Sequence, residues 1–229
     1  MARHNARCRL VGAARRPSSH ASHCRPAQTP SECRNGTERC AAALAALGGS
    51  AAFDIVINVQ GDEPLTLPAH VDAVVRALQA APRECVYSTA ATPMSRPEDV
   101  ASRSRVKVVV DTAGNALYFS RAVIPGGHAA APVAGGAYLL HLGLQCYDAA
   151  FLARFPALPP TPLQLAEDLE QLKALEHGYK LRVVTVRDED GEEEGSTLLA
   201  HGVDEPGDVA RVEAAMAARR TRLQRAHIA

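Results

Sequence analysis

Two carboxylates, Asp62 and Glu63, stand directly after Ile55-Val56-Ile57-Asn58-Val59. That run is uncharged and four of its five residues are β-branched, which reads as a strand buried on both faces of a parallel sheet. Gln60 and Gly61 turn the chain, and Pro64 can donate no further ladder hydrogen bond. The two acids therefore sit beyond the strand's carboxyl end, where open α/β sheets bind their ligands. A carboxylate there suits a hard divalent cation carrying phosphate oxygens. The competing reading makes Asp62 a cap for the helix that Pro68 begins. Asp204 poses the same choice between a ligand and an N-cap of the last helix, with Pro206 close behind.

The elements that must position these residues alternate at both ends of the chain. A short helix over 40–47 stops at Gly48-Gly49 and precedes the 55–59 strand. The helix begun by Pro68 carries Val71, Val74, Val75 and Leu78 on one apolar stripe. Strands follow over 86–91, 106–110 and 116–119. The last two are joined through Asp111-Thr112-Ala113-Gly114-Asn115, a short hairpin connection. Residues 126–136 are Gly, Ala and Pro with one His and one Val, the composition of a loop. A strand over 138–147 comes next. Thr161-Pro162-Leu163-Gln164 has the form of a capping box with Pro at the first helical position. It opens a helix with Leu165, Leu169 and Leu172 on one face, ending near Gly178. A strand over 181–186, an acidic solvated loop over 188–194 and a helix over 206–226 complete the order.

Composition excludes several classes. The 229 residues have a formal net charge of zero, so no global field recruits nucleic acid or an anionic membrane. No apolar run approaches the ~20 residues of a membrane span. The six cysteines are too few and too irregular for a disulfide framework. Cys8, His20, His23, Cys24 and Cys33 lack the paired spacing of a zinc site. Residues 1–31 differ from the rest: no acidic residue occurs before Glu32, and arginine, serine and proline recur. That composition cannot bury enough apolar area to fold alone; it resembles an organellar transit peptide, a mitochondrial one among the options. The folded domain is expected over 32–216, with 217–229 a helix end and tail.

Six motifs, in one order, carry a family resemblance. They are Asn58-Val59-Gln60-Gly61-Asp62-Glu63-Pro64; Arg105-Val106-Lys107-Val108-Val109 with Ala116-Leu117-Tyr118-Phe119-Ser120-Arg121; His141-Leu142-Gly143; Thr161-Pro162-Leu163; Leu169-Glu170-Gln171-Leu172; and His201-Gly202-Val203-Asp204. Together they resemble the 3-deoxy-manno-octulosonate (Kdo) cytidylyltransferases, and Asn35-Gly36-Thr37-Glu38-Arg39 looks closest to the plant and algal branch. The resemblance implies an α/β, Rossmann-like (GT-A-like) nucleotidyltransferase fold. Its mixed sheet would carry an antiparallel subregion that forms a homodimer. It also implies transfer of CMP from CTP to Kdo with Mg²⁺ as cofactor. Asp62 and Asp204 would be the metal ligands, and Arg121 the partner of the sugar carboxylate. His141, Gln145, Glu170 and Gln171 would contact the sugar, and Gly36, Thr37, Arg39 and Gln60 the nucleotide. Read without the family, His141 is a satisfied strand histidine, Glu170 belongs to a solvated helix face, and Arg121 is a surface arginine.

One part of the family pattern is missing. The Arg/Lys-containing triphosphate loop, with the first βαβ unit around it, has no match; residues 14–19 hold similar types but lack the apolar strand before them and the lysine. Two further readings therefore stand beside CMP-Kdo synthesis. One is an inactive chain that pairs with a complete subunit, and the other is a cytidylyltransferase for another acid sugar such as sialic acid. A nicotinamide oxidoreductase ranks below all of these, since no Gly-x-Gly-x-x-Gly follows any strand. The missing loop leads to the expectation that the 229 residues alone synthesise CMP-Kdo slowly.

Overall fold

The computed structural model describes residues 28–94, 96–126, 138–187, 203 and 206–226. The sequence-based expectations for the loops at 126–136 and 188–194, for His201, Gly202 and Asp204, and for the leader before residue 28 fall largely or wholly outside them. Six strands form one mixed sheet: β1 (Ile55–Val59), β2 (Cys85–Met94), β3 (Lys107–Val110), β4 (Ala116–Ser120), β5 (Tyr138–Asp148) and β6 (Lys180–Thr185). The helices are α1 (Gly36–Ala46), α2 (Pro68–Ala80), α3 (Pro97–Ala101), α4 (Ala149–Arg154), α5 (Pro162–Glu167), α6 (Glu170–Glu176) and α7 (Pro206–Ala226).

β5 organises the sheet. Along one side it pairs antiparallel with β2, from Tyr87 opposite Tyr147 to Met94 opposite Tyr138. Two strands share its other side. β3 pairs at Leu139 and Leu140, and β1 pairs from Val59 opposite Leu144 to Ile55 opposite Asp148. The carboxyl end of β1 and the start of β3 thus meet across a short gap at Leu142 and Gly143. β2 and β6 form the parallel pair.

The expectation of a parallel neighbour for β1 is corrected: its pairing with β5 is antiparallel. The apolar run reports burial on both faces, which does hold, because helices cover both sides of the sheet. Val56 faces a core with Cys40 and Leu44 of α1, Phe151 and Leu152 of α4, and Leu172 of α6. Ile57 faces a second core with Val74 and Leu78 of α2. Burial carries no strand direction, so the run alone was ambiguous. The outer edge of β1 has no strand partner among the described residues.

The single helix expected over 161–178 is two helices. Asp168 adopts a left-handed φ of 53° and separates α5 from α6. Leu165 is consequently 67% exposed, while Leu169 and Leu172 are buried. The free amides at the start of α5 are taken by α6: the N–H groups of Leu163 and Gln164 donate to the Glu176 carboxylate at 3.1 Å.

Lys107 is fully buried, and its ammonium donates to the carbonyls of Ser102 (2.8 Å), Arg105 (2.7 Å) and Arg121 (2.8 Å). One side chain therefore uses all three of its donors to tie the loop before β3 to the turn after β4. Burial holds its pKa below the usual lysine value. Lys107→Met leaves three inward carbonyls unpaired and should cost about 2–4 kcal/mol in a urea titration. A loss under about 0.5 kcal/mol would mean that water replaces the ammonium.

Candidate active site

The gap beside β5 opens into a cleft of about 1130 Å³. β1 delivers Gln60, Asp62 and Glu63 to it, β5 delivers His141, the turn after β4 delivers Arg121, and the start of α6 delivers Glu170 and Gln171. Gly36 arrives at the start of α1. Residues far apart in sequence converge because β1 and β3 end face to face on one strand.

Glu63 fills the gap itself. Its Oε1 accepts the Gly143 N–H at 2.7 Å. A Cβ at Gly143 would lie 2.5 Å from that oxygen and 2.9 Å from the Gln60 amide, so only glycine permits this approach. Asp62, by contrast, is exposed at the cleft rim. Its backbone carbonyl accepts the N–H of Val203 at 2.8 Å. That bond brings the segment just before Asp204 alongside Asp62, although Asp204 itself lies outside the described residues. Among the described residues no group of three metal-ligating side chains occurs. The donors that are present, hard carboxylate oxygens beside an open cleft, fit a cation that takes most of its ligands from substrate and water.

Arg121 is held from three directions. Its N–H donates to the Glu167 carboxylate (2.9 Å), its carbonyl accepts from Lys107, and its Nε donates to the Glu167 carbonyl (3.0 Å). Nη1 makes one long contact to the Arg103 carbonyl, 3.4 Å, so most of the guanidinium fork remains for a ligand. Glu167 also accepts from Ser120 Oγ (2.6 Å) and Tyr118 (3.2 Å). Burial works to raise its pKa, but these hydrogen bonds outweigh it and hold the carboxyl below the usual range.

A buried polar chain forms the floor. Tyr147 donates its hydroxyl to Gln145 Oε1 and accepts from Thr37 Oγ1 (2.8 Å), and Asn58 donates to the same Gln145 oxygen (3.1 Å). The Thr37 N–H donates to Glu170 Oε2 at 3.1 Å. Burial raises the Glu170 pKa. Gln145 lines the cleft but spends its carbonyl on this chain, and Thr37 is buried beneath it. Arg39 turns elsewhere, donating to Thr29 Oγ1 (3.2 Å) and the Pro30 carbonyl (3.4 Å).

His141 packs edge-on against Phe119, ring centroids 5.0 Å apart, with Nε2 2.8 Å from Thr89 Oγ1. Burial pushes its pKa down to about 4. The unfolded imidazole, near 6.5, takes up its proton first as the pH falls. This group's contribution is thus complete above about pH 6.5 and lost toward pH 4, an effect on the order of 2 kcal/mol after allowance for partial exposure. His141→Gln should flatten the pH dependence of unfolding free energy in that window. An unchanged slope would show that the ring titrates normally.

Sequence reasoning placed Glu63 beside Asp62 without giving it a role, and missed Glu167, Lys107 and the cleft residues Asp99, Arg105 and Asp208. Asp99 and Arg105 pair at 3.1 Å. The motif strings contained Glu63, Lys107 and Arg105, but their types alone do not say which side chain turns inward.

Comparisons with known proteins assign the chain a family and a fold. A family profile described as "Cytidylyltransferase" matches residues 20–183. A Zea mays 3-deoxy-manno-octulosonate cytidylyltransferase is 49% identical over 191 residues, covering 83% of this chain and 59% of that protein. An Arabidopsis thaliana relative, named as the mitochondrial enzyme of that kind, is 48% identical and covers 82% and 60%. A Protochlamydia amoebophila relative of the same name is 41% identical, covering 81% and 67%. The chain thus spans about three-fifths of the plant relatives' length. A solved structure of CMP:2-keto-3-deoxy-manno-octonic acid synthetase complexed with CTP superposes with a TM-score of 0.69 at 32% identity, over 82% of this chain and 70% of that one.

Proposed function

We propose that this chain, which belongs to the 3-deoxy-manno-octulosonate cytidylyltransferase family, transfers CMP from CTP to Kdo and releases pyrophosphate. The observation that carries the proposal is the convergence of Arg121, His141, Glu170 and Gln171, from three separate parts of the chain, on the cleft that Asp62 borders. An acid sugar needs one cation and several neutral or acceptor groups around it, and this set provides both. Arg121 binds the sugar carboxylate through its free fork. His141, Glu170 and Gln171 orient the sugar hydroxyls. The nucleotide lies toward Gly36 and Gln60, where the absent Cβ lets backbone approach closely. An attacking sugar hydroxyl is then held in line with the α-phosphorus, and positioning supplies much of the rate. Asp62 and Asp204 would hold Mg²⁺, which when bound neutralises charge on the phosphate oxygens.

Exposed apolar side chains, Leu117 on β4 and Leu163 and Leu165 on α5, favour a homodimer, testable by sedimentation velocity. The Arg- and Ser-rich composition of residues 1–31 favours import into an organelle, and no described helix is long and apolar enough to cross a membrane.

The activity test follows CMP-Kdo formation from CTP, Kdo and Mg²⁺. Product should require all three. Equal or faster transfer to sialic acid, or pyrophosphate release without Kdo, would overturn the reading. A folded chain that binds Kdo yet forms no product would select the alternative of an inactive chain paired with a complete subunit. The outer edge of β1, which has no strand partner among the described residues, favours that alternative, since such an edge invites a partner strand.

A further inference from the structure

We propose that Thr89 is a positioning residue that fixes the hydrogen-bonding polarity of His141, so that the imidazole offers the cleft an acceptor, Nδ1, and takes a hydroxyl donor from the ligand. The second half rests on the sugar reading above; the first does not. Thr89 lies on β2, fully buried, beside the irregularity between Thr89 and Ala91. Its Oγ1 is 2.8 Å from the Leu144 carbonyl oxygen of β5 and 2.8 Å from His141 Nε2.

A threonine hydroxyl has one proton. Two oxygens 2.8 Å apart need a proton between them, and a backbone carbonyl has none to give. Thr89 therefore spends its proton on Leu144. Toward His141 it can offer only a lone pair, so Nε2 must carry the imidazole N–H. The low pKa from burial keeps the ring neutral near pH 7, and a neutral ring protonated at Nε2 is bare at Nδ1. The tautomer is thus dictated by a proton count made one residue away from the ligand.

Nδ1 has no hydrogen-bond partner among the described residues, and it is not among their buried polar atoms that lack one. His141 lines the cleft, and Nδ1, the ring nitrogen that Thr89 does not engage, is the one a ligand there would meet. The edge contact with Phe119 holds the ring plane. An acceptor at this point repels a carboxylate or phosphate oxygen and receives a hydroxyl proton. Arg121 makes the opposite demand. The pair therefore sets the direction of an acid sugar in the cleft, with the carboxylate at Arg121 and a hydroxyl at His141. Thr89 acts through His141 and need not touch the ligand.

The test is nitrogen NMR of the ¹⁵N-histidine-labelled 229-residue chain near pH 7, with the His141 signals assigned by their loss in His141→Gln. The wild type and Thr89→Ser should show a neutral ring protonated at Nε2. Thr89→Val should lose that single tautomer and bind Kdo roughly tenfold more weakly, the effect of about one hydrogen bond. An Nδ1–H tautomer or an imidazolium in the wild type would overturn the proposal without any variant. So would loss of the tautomer in Thr89→Ser, or its full retention in a folded Thr89→Val. If Thr89→Val does not fold, the wild type and Thr89→Ser still decide. A correct tautomer whose Nδ1 signal is unmoved by Kdo at saturating CTP would leave the role of Thr89 standing and overturn the sugar reading instead.

Discussion

Asp62→Asn lowers CMP transfer by about 10³-fold while Kdo binding stays within about twofold of the wild type. The amide is nearly isosteric, so the backbone bond from Val203 to the Asp62 carbonyl survives. What is lost is a charged oxygen able to hold a divalent cation. Mn²⁺ gives a readout independent of turnover. Its paramagnetic broadening of signals from Gln60, Glu63 and Gly143 should be strong in the wild type and absent in Asp62→Asn. Broadening that persists would move the cation elsewhere, and transfer within tenfold of the wild type would rule Asp62 out as its ligand, since α2 is capped at Leu67 and not by Asp62.

Arg121→Ala weakens Kdo binding by roughly 10²-fold, as expected for one lost charge-assisted pair of about 3 kcal/mol. CTP binding stays nearly unchanged. Arg121→Lys recovers only part of the loss, because an ammonium cannot present the planar fork. The clamp on Arg121 adds a check on cause. Glu167→Gln keeps the size of the side chain but weakens its hold on Ser120, Tyr118 and the Arg121 N–H, and should reproduce part of the Arg121→Ala loss. Equal losses for Kdo and CTP in Arg121→Ala would assign the residue to folding or to the nucleotide.

The residues that end strands were readable in the sequence, and the ones that hold them were not. Val59-Gln60-Gly61-Asp62 announces a strand end by an abrupt change from apolar to turn and acidic residues, and β1 stops at Val59. The hairpin of β3 and β4 was equally plain, from Asp111 to Asn115. The direction of β1 was not, because burial on two faces looks alike in parallel and antiparallel pairings. Nor was the break at Asp168: the leucines at 165, 169 and 172 keep helical spacing across it, and a left-handed aspartate is a local choice that periodicity does not register.

Within the cleft the same division holds. Arg121, His141 and Glu170 came from motifs. Glu167 and Thr89 work by contacts between elements distant in sequence, 46 residues for Glu167 with Arg121 and 52 for Thr89 with His141. Arg39 and Thr37 show the reverse. Their motif marked a turn at the start of α1, but the helix registers Thr37 into the core and Arg39 toward Thr29.

The proposed role of this cleft is to take Kdo as an acid sugar oriented by Arg121. It is tested most directly by calorimetric titration of Kdo into the folded chain with Mg²⁺ and saturating CTP analogue, with sialic acid titrated in parallel. Saturable binding of one Kdo per chain is expected, at least about tenfold tighter than sialic acid, a gap of about 1.4 kcal/mol. Absence of Kdo binding by a folded chain, or sialic acid binding as tightly, would contradict it.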